Sequence, residues 1–227
     1  MILEDKLVQT RLQKEPEFLL RLHEILTNWK VGEKPGLVVQ ARPVQAASLE
    51  VLDVKVRNAL REGIDSDGNG NLWDHFEAIR MFHSLHGITA TANTESPIWL
   101  TEAHRDGHMI AGVWDFPDLP AQDGQNAKAM AYWYESFFGE SFKLMSNVAA
   151  AGGLTGEFQA TATLANANML RYGARSPANR PMLAGEPCLM PYAQWSLQKA
   201  SIEKPEWHML ARSMAQGIAG AFRAPIR

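Results

Sequence analysis

Cysteine is nearly missing from this chain, since Cys188 is the single one among 227 residues. One cysteine excludes an internal disulfide and a cysteine-based zinc cluster. No stretch approaches about 18 consecutive apolar residues, the length that a membrane-spanning helix needs. The N-terminus also lacks the basic and then apolar segments of a signal peptide. We therefore expect a soluble cytoplasmic protein without membrane contact, with a virion or secretion-machine component that carries no classical signal as the alternative.

Neither sign of charge dominates, because 22 Lys and Arg stand against 25 Asp and Glu, for a net charge of −3. The whole molecule thus has no strong bias toward nucleic acid or membrane surfaces. The charge is uneven, since residues 151–227 hold 8 basic and 4 acidic side chains, or 8 − 4 = +4. We expect a single domain over residues 1–227. A subdivision would fall near residue 150, between an acidic part (1–150) and a mildly basic part (151–227).

Several enzymatic signatures are absent as well. The chain has no G-x-x-x-x-G-K-S/T, no G-x-G-x-x-G, no G-x-S-x-G elbow and no H-E-x-x-H. Cys188 has apolar neighbours and no base next to it, which favours a structural thiol over a nucleophile. No catalytic residue is assigned on this basis, and the pattern favours a protein that works by binding.

Hydrophobic periodicity predicts an α+β fold that is mainly helical, with a small antiparallel sheet. The predicted strands include a hairpin near 98–116, which turns at Asp106-Gly107 and pairs Trp99 with Trp114. A helix is expected from an N-cap at Ser48 to Gly63. The other predicted elements are helices within 2–30, 72–86, 127–150 and 205–222, strands at 37–41 and 157–164, and an extended loop over 171–191.

The most specific local pattern is a run of oxygen-bearing side chains between residues 65 and 74. Alternate oxygens with a glycine in sixth place, Gly70, resemble the first half of an EF-hand calcium loop. The twelfth position holds Phe76 where an EF-hand has glutamate, and Glu77 comes one residue late. A polar turn without metal is the alternative. The candidate calcium ligands are Asp65, Asp67, Asn69, Asn71 and Asp74.

Histidine is concentrated in one region, because five of the seven lie between residues 75 and 108. Neutral imidazole is a common ligand of transition metals, so His83 and His86, with Glu102, are candidate ligands for zinc or iron. A two-residue turn at Asp106-Gly107 would place His104 and His108 on opposite faces of the hairpin. A favourable interaction of histidines with the negative end of a helix is the alternative.

A basic segment near the C-terminus is the third candidate site. Arginine contacts phosphate and tyrosine stacks on bases, which is the pattern of single-strand nucleic-acid binding. An acidic protein partner or a solvated loop would suit the same residues. The residues concerned, in a predicted loop over 171–180, are Arg171, Tyr172, Arg175 and Arg180.

Together these patterns favour a soluble, non-catalytic component that binds other macromolecules or takes part in an assembly, with a structural divalent cation, calcium, at 65–74. A protein partner or self-association is expected, because the acidic and basic segments have opposite charge. The second expectation is a metal-dependent enzyme, a hydrolase or oxygenase, that uses the His/Asp/Glu residues. The third is a nucleic-acid-binding protein that uses the basic segment.

Overall fold

The computed structural model describes residues 20, 23, 24, 27, 34–65, 79–92, 98–114, 128–166, 171–175, 181–184, 192–200 and 206–221. The chain divides into two compact units, 1–34 and 35–227. Residues 20, 23, 24 and 27 of the first unit are helical. The expectation of a single domain, with a subdivision near residue 150, stays a prediction. Within the described ranges, no helix is long and apolar enough to cross a membrane.

The described part of the second unit contains ten strands and three helices. In chain order they are β1 (Gly36–Pro43), α1 (Val54–Asp65), β2 (Ile79–His83), β3 (Gly87–Ala92), β4 (Ile98–His104), β5 (Met109–Trp114), β6 (Lys128–Met130), α2 (Ala131–Ala151), β7 (Phe158–Ala165), β8 (Arg171–Arg175), β9 (Pro181–Ala184), β10 (Tyr192–Ala200) and α3 (Trp207–Ala221). Seven strands form one antiparallel sheet in the order β10-β7-β1-β5-β4-β3-β2. A second sheet has the order β6-β8-β9.

The prediction of a mainly helical fold with a small sheet is wrong. The class is mixed α+β, but a seven-stranded sheet dominates the topology. Residues 79–83, expected within a helix over 72–86, form β2 and pair with β3. The helical spacing of Ile79 and Phe82 misled the prediction, because pairing with a neighbouring strand decides conformation in short apolar segments. Residues 72–78 lie outside the described residues.

One face of the large sheet packs against the three helices. Alternate residues of β1, namely Leu37, Val39 and Ala41, are fully buried in the same cluster as Phe137 and Phe142 of α2. Because side chains alternate between the two faces of a strand, Leu37, Val39 and Ala41 all lie on the face that packs against the helices. The predicted strands at 37–41 and 157–164 correspond to β1 and β7, and the predicted helices at 127–150 and 205–222 correspond to α2 and α3. The helix prediction is wrong over residues 128–130, which form β6 because they pair with β8.

The opposite face of the sheet is also buried, but it carries polar side chains. On this face Gln40 of β1 pairs with Thr161 of β7, and Thr89 of β3 pairs with Glu102 of β4. All four are at most 3% exposed. Buried polar groups are costly unless they find partners, so this face, called the polar face below, is where specific contacts are expected.

Local signals at helix ends hold in one case and fail in another. The N-cap of α1 is Asp53, whose Oδ1 accepts from Lys55 N at 2.7 Å, so the expected cap at Ser48 is wrong. The helix also continues beyond Gly63. At the end of α2, Gly153 has φ +69° and Leu154 N donates to Ala149 O at 2.8 Å, a Schellman ending.

Candidate functional site

The turn between β4 and β5 sets the geometry of the candidate site. Ala103 pairs with Met109, and His104 N donates to His108 O at 2.9 Å. The loop therefore has three residues, 105–107, and Gly107 adopts φ +81°, which matches a type I turn followed by a left-handed glycine. The expected two-residue turn is wrong by one position. His104 and His108 lie directly opposite each other and on the same face.

The same shift separates the two tryptophans that were expected to pair. Trp99 pairs with Val113 and packs on the helical side, with its ring centroid 6.0 Å from that of Phe137. Trp114 lies on the polar face. A Cβ on Gly112 would come within 2.6 Å of the Trp114 ring, so glycine leaves the space that this ring fills. The predicted Trp99–Trp114 pair is therefore wrong, because a one-residue slip exchanges the faces.

Three histidines gather at this end of the polar face. The ring centroids of His86 and His104 are 5.5 Å apart and stacked, and those of His104 and His108 are 5.2 Å apart, edge to face. His86 lies in the β2–β3 turn, and its carbonyl accepts from Arg105 N at 3.1 Å. Two adjacent hairpin turns thus bring the rings together. We call His86, His104 and His108 the imidazole cluster.

A buried carboxylate anchors the cluster. Glu102 Oε2 lies 2.8 Å from His104 Nε2, and Glu102 Oε1 accepts from Thr89 Oγ1 at 3.3 Å. Glu102 is 3% exposed and His104 is 4% exposed. A carboxylate so deeply buried needs such donors. The pair holds the His104 ring in one orientation, as a carboxylate does for an imidazole that acts on a proton or a metal.

The structure brings together some of the predicted metal ligands and separates another. His86 and Glu102 are linked through His104, whereas His83 pairs with Ile88 on the helical side of the sheet and is exposed. In the described part of the chain, no group of three or more His, Cys, Asp or Glu side chains is placed to hold a metal ion. The zinc or iron site stays a prediction. His104 and His108 were missed as neighbours because their register depends on the turn.

The other two predicted sites lie largely outside the described residues. Asp65 is the last residue of α1, while Asp67, Asn69, Asn71 and Asp74 lie beyond what is described. Because α1 continues through Gly63, a helix does lead directly into the calcium-like segment. Arg171, Tyr172 and Arg175 belong to β8, which pairs with β9, so the expected extended loop is wrong over these strands. Arg180 lies outside the described residues.

An exposed apolar edge adjoins the imidazole cluster. Leu85, in the turn between β2 and β3, is 85% exposed, and Phe82 on β2 is 43% exposed. Among the described strands β2 is the last in the sheet and pairs with β3 alone. We call residues 80–85 the β2 edge. Sequence patterns missed it because they assigned these residues to a helix.

Comparisons with known proteins find no match to this chain among protein-family models, among curated proteins or among solved structures. A function can therefore be proposed only from the geometry of the chain itself. The geometry offers two features close together, the imidazole cluster with its buried carboxylate and the exposed β2 edge.

Proposed function

We propose that the protein is a non-catalytic binding or assembly component that recognises another polypeptide along its β2 edge. The observation that carries the proposal is Leu85, which is 85% exposed at the tip of the β2–β3 hairpin. Phe82 extends the apolar surface along the strand. Single exposed apolar residues are ordinary, but a group of exposed apolar side chains marks an interaction site, and here Leu85 and Phe82 lie on the same hairpin.

The backbone of β2 supports the same proposal. A terminal strand presents a row of N–H and C=O groups that can pair with a further strand. Natural proteins protect such strands with lysine, proline or inward-pointing charge. The β2 sequence, Ile-Arg-Met-Phe-His, contains one charged residue, Arg80, and no proline. Addition of an extended segment to such a strand is a common mode of peptide recognition, in which the backbone supplies affinity and the side chains supply specificity.

We also propose that the protein works in the cytoplasm. The single Cys188 favours this compartment, because proteins of the reducing cytosol rarely contain disulfides. We also propose calcium as a structural ion at 65–74, a segment that begins at the last residue of α1 and precedes β2 in the sequence. An ion there would shape the segment that leads into the recognition strand.

Site-specific photo-crosslinking tests the proposal. A benzophenone side chain replaces Leu85 in one variant and Met209 in the control, since Met209 is 71% exposed on α3. Irradiation in the cells that naturally make the protein should give one reproducible protein adduct at position 85, identified by mass spectrometry, and none of that species at position 209. Equal yields at the two positions, or no adduct at position 85, would refute recognition at the β2 edge.

The imidazole cluster favours a second candidate function, a metal-dependent enzyme. The ring centroid of His104 lies 5.5 Å from that of His86 and 5.2 Å from that of His108, and Glu102 orients the central His104 ring. Metal binding requires the rings to turn toward a common point, and it would make zinc or iron a Lewis acid there. Elemental analysis of the purified chain and of His104→Ala tests it. Stoichiometric metal in the former alone supports this function, and no metal in either refutes it.

A further inference from the structure

We infer that the partner at the β2 edge is a second copy of this chain, and that the two β2 strands pair antiparallel about a two-fold axis at Met81. The inference rests on the proposed function and specifies its partner. It follows from the hydrogen-bond alternation of the β2–β3 hairpin and from the order of side chains along β2.

The hairpin determines which backbone groups of β2 face outward. Ser84 N donates to Gly87 O at 2.9 Å, so this closing pair is a hydrogen-bonded one. In antiparallel strands hydrogen-bonded and non-hydrogen-bonded pairs alternate. Residues 80, 82 and 84 therefore direct their backbone groups toward β3. Residues 79, 81 and 83 direct theirs away from it.

A register centred on Met81 uses every outward group. Met81 then lies opposite Met81 of the second copy, and residue 79 of each copy lies opposite residue 83 of the other. These are three hydrogen-bonded pairs, and each pair exchanges two bonds. A register centred on Arg80 or on Phe82 leaves one outward residue without a counterpart in β2. Antiparallel pairing of a strand with its own copy is isologous and closes as a dimer.

Side-chain chemistry favours the same register. With Met81 on the axis, Arg80 lies opposite Phe82 of the second copy, and the contact occurs twice. These positions form a non-hydrogen-bonded pair, in which side chains approach most closely. A guanidinium over an aromatic face is favourable. The register centred on Arg80 would instead oppose two like charges, which is unfavourable. Arg80 is exposed and Phe82 is 43% exposed, so a partner can reach both.

Charge reversal across the axis tests the inference by sedimentation equilibrium over a range of concentrations. The wild-type chain is expected to dimerise. Phe82→Arg places a second guanidinium opposite Arg80 at both contacts and should raise the dimer Kd by about tenfold or more. Adding Arg80→Glu restores opposite charges and should return the Kd to near the wild-type value. Leu52→Arg, at an exposed apolar site outside β2, is the matched control and should leave the Kd unchanged.

Circular dichroism and thermal unfolding of each variant separate a lost dimer from a lost fold. A wild-type chain that stays monomeric at every concentration overturns the inference, as does a dimer that Phe82→Arg does not weaken or that Arg80→Glu does not restore. The crosslink at position 85 distinguishes self-pairing from recognition of a different polypeptide. An adduct with a different protein on a monomeric chain retains the proposed function and rejects self-pairing. A monomeric chain that also gives no adduct at position 85 rejects both self-pairing and recognition at the β2 edge.

Discussion

Removal of the Glu102 carboxylate is expected to destabilise the fold far more than removal of an exposed one. Glu102 accepts from His104 Nε2 and from Thr89 Oγ1, and the substitution Glu102→Ala leaves both donors buried without that acceptor. Glu102 and His104 are almost completely buried, so water does not replace the lost contacts easily. The loss of stability on Glu102→Ala therefore measures how much the Glu102 contacts stabilise the polar face of the sheet.

The magnitude follows from the depth of the pair. Each buried donor that loses its acceptor costs about 1–3 kcal/mol, and more when the lost acceptor is charged, so the loss of the Glu102 acceptor by both donors should cost about 3–5 kcal/mol. With a urea m-value of about 2 kcal/mol/M, the unfolding midpoint should fall by roughly 1.5–2.5 M. Glu102→Gln retains one acceptor oxygen and should lose less. Removal of an exposed carboxylate, Glu135→Ala on α2, should change the free energy of unfolding by about 0.5 kcal/mol or less.

A double-mutant cycle isolates the contact itself. Urea unfolding of Glu102→Ala, His104→Ala and the double variant should give a coupling energy of about 1.5–3 kcal/mol, because a hydrogen bond to a charged group is lost only once. The control cycle combines His104→Ala with Glu135→Ala on the other side of the sheet and should be additive. A coupling energy near zero for the first cycle would show that the carboxylate and the imidazole do not stabilise each other.

Three further predictions concern individual positions. Gly87→Ala should lower the free energy of unfolding by about 1–3 kcal/mol, because a Cβ there overlaps the rigid backbone carbonyl of Ala103. Gly220→Ala, in open space on α3, should raise the free energy of unfolding by up to about 1 kcal/mol. Equal effects of the two substitutions in thermal unfolding would contradict this prediction. Asp53→Ala should cost about 1 kcal/mol through the lost cap of α1, and Asp53→Asn should cost little; a loss of equal size in both would argue against capping. Calcium should raise the melting temperature if the segment 65–74 binds it, and magnesium should raise it less; no shift with calcium would leave a polar turn.

Elements with strong local signals were predictable. The strand at 157–164 alternates cleanly and is β7, and the helix at 127–150 is α2 from residue 131 onward. The β4–β5 hairpin was likewise visible from Asp106-Gly107, although its loop has three residues and not two. In each case one segment contains the whole signal, because side-chain period and turn chemistry are local properties. The helix at 72–86 failed over β2 because its apolar spacing is compatible with either conformation, and only pairing with β3 decides between them.

The sequence by itself determined the strands β1 and β7, most of the helices α2 and α3, the presence of a hairpin that turns around Asp106-Gly107 and the residue types that a site would use, including Glu102 and five crowded histidines. Tertiary structure alone decided the size of the sheet, the face to which each side chain points and the neighbours of His104. The physical reason is the two-residue period of a strand: adding one residue to the loop at 105–107 moves every side chain of a hairpin strand to the other face. That one residue brought His104 and His108 together, and strand order placed β2 at the edge of the sheet.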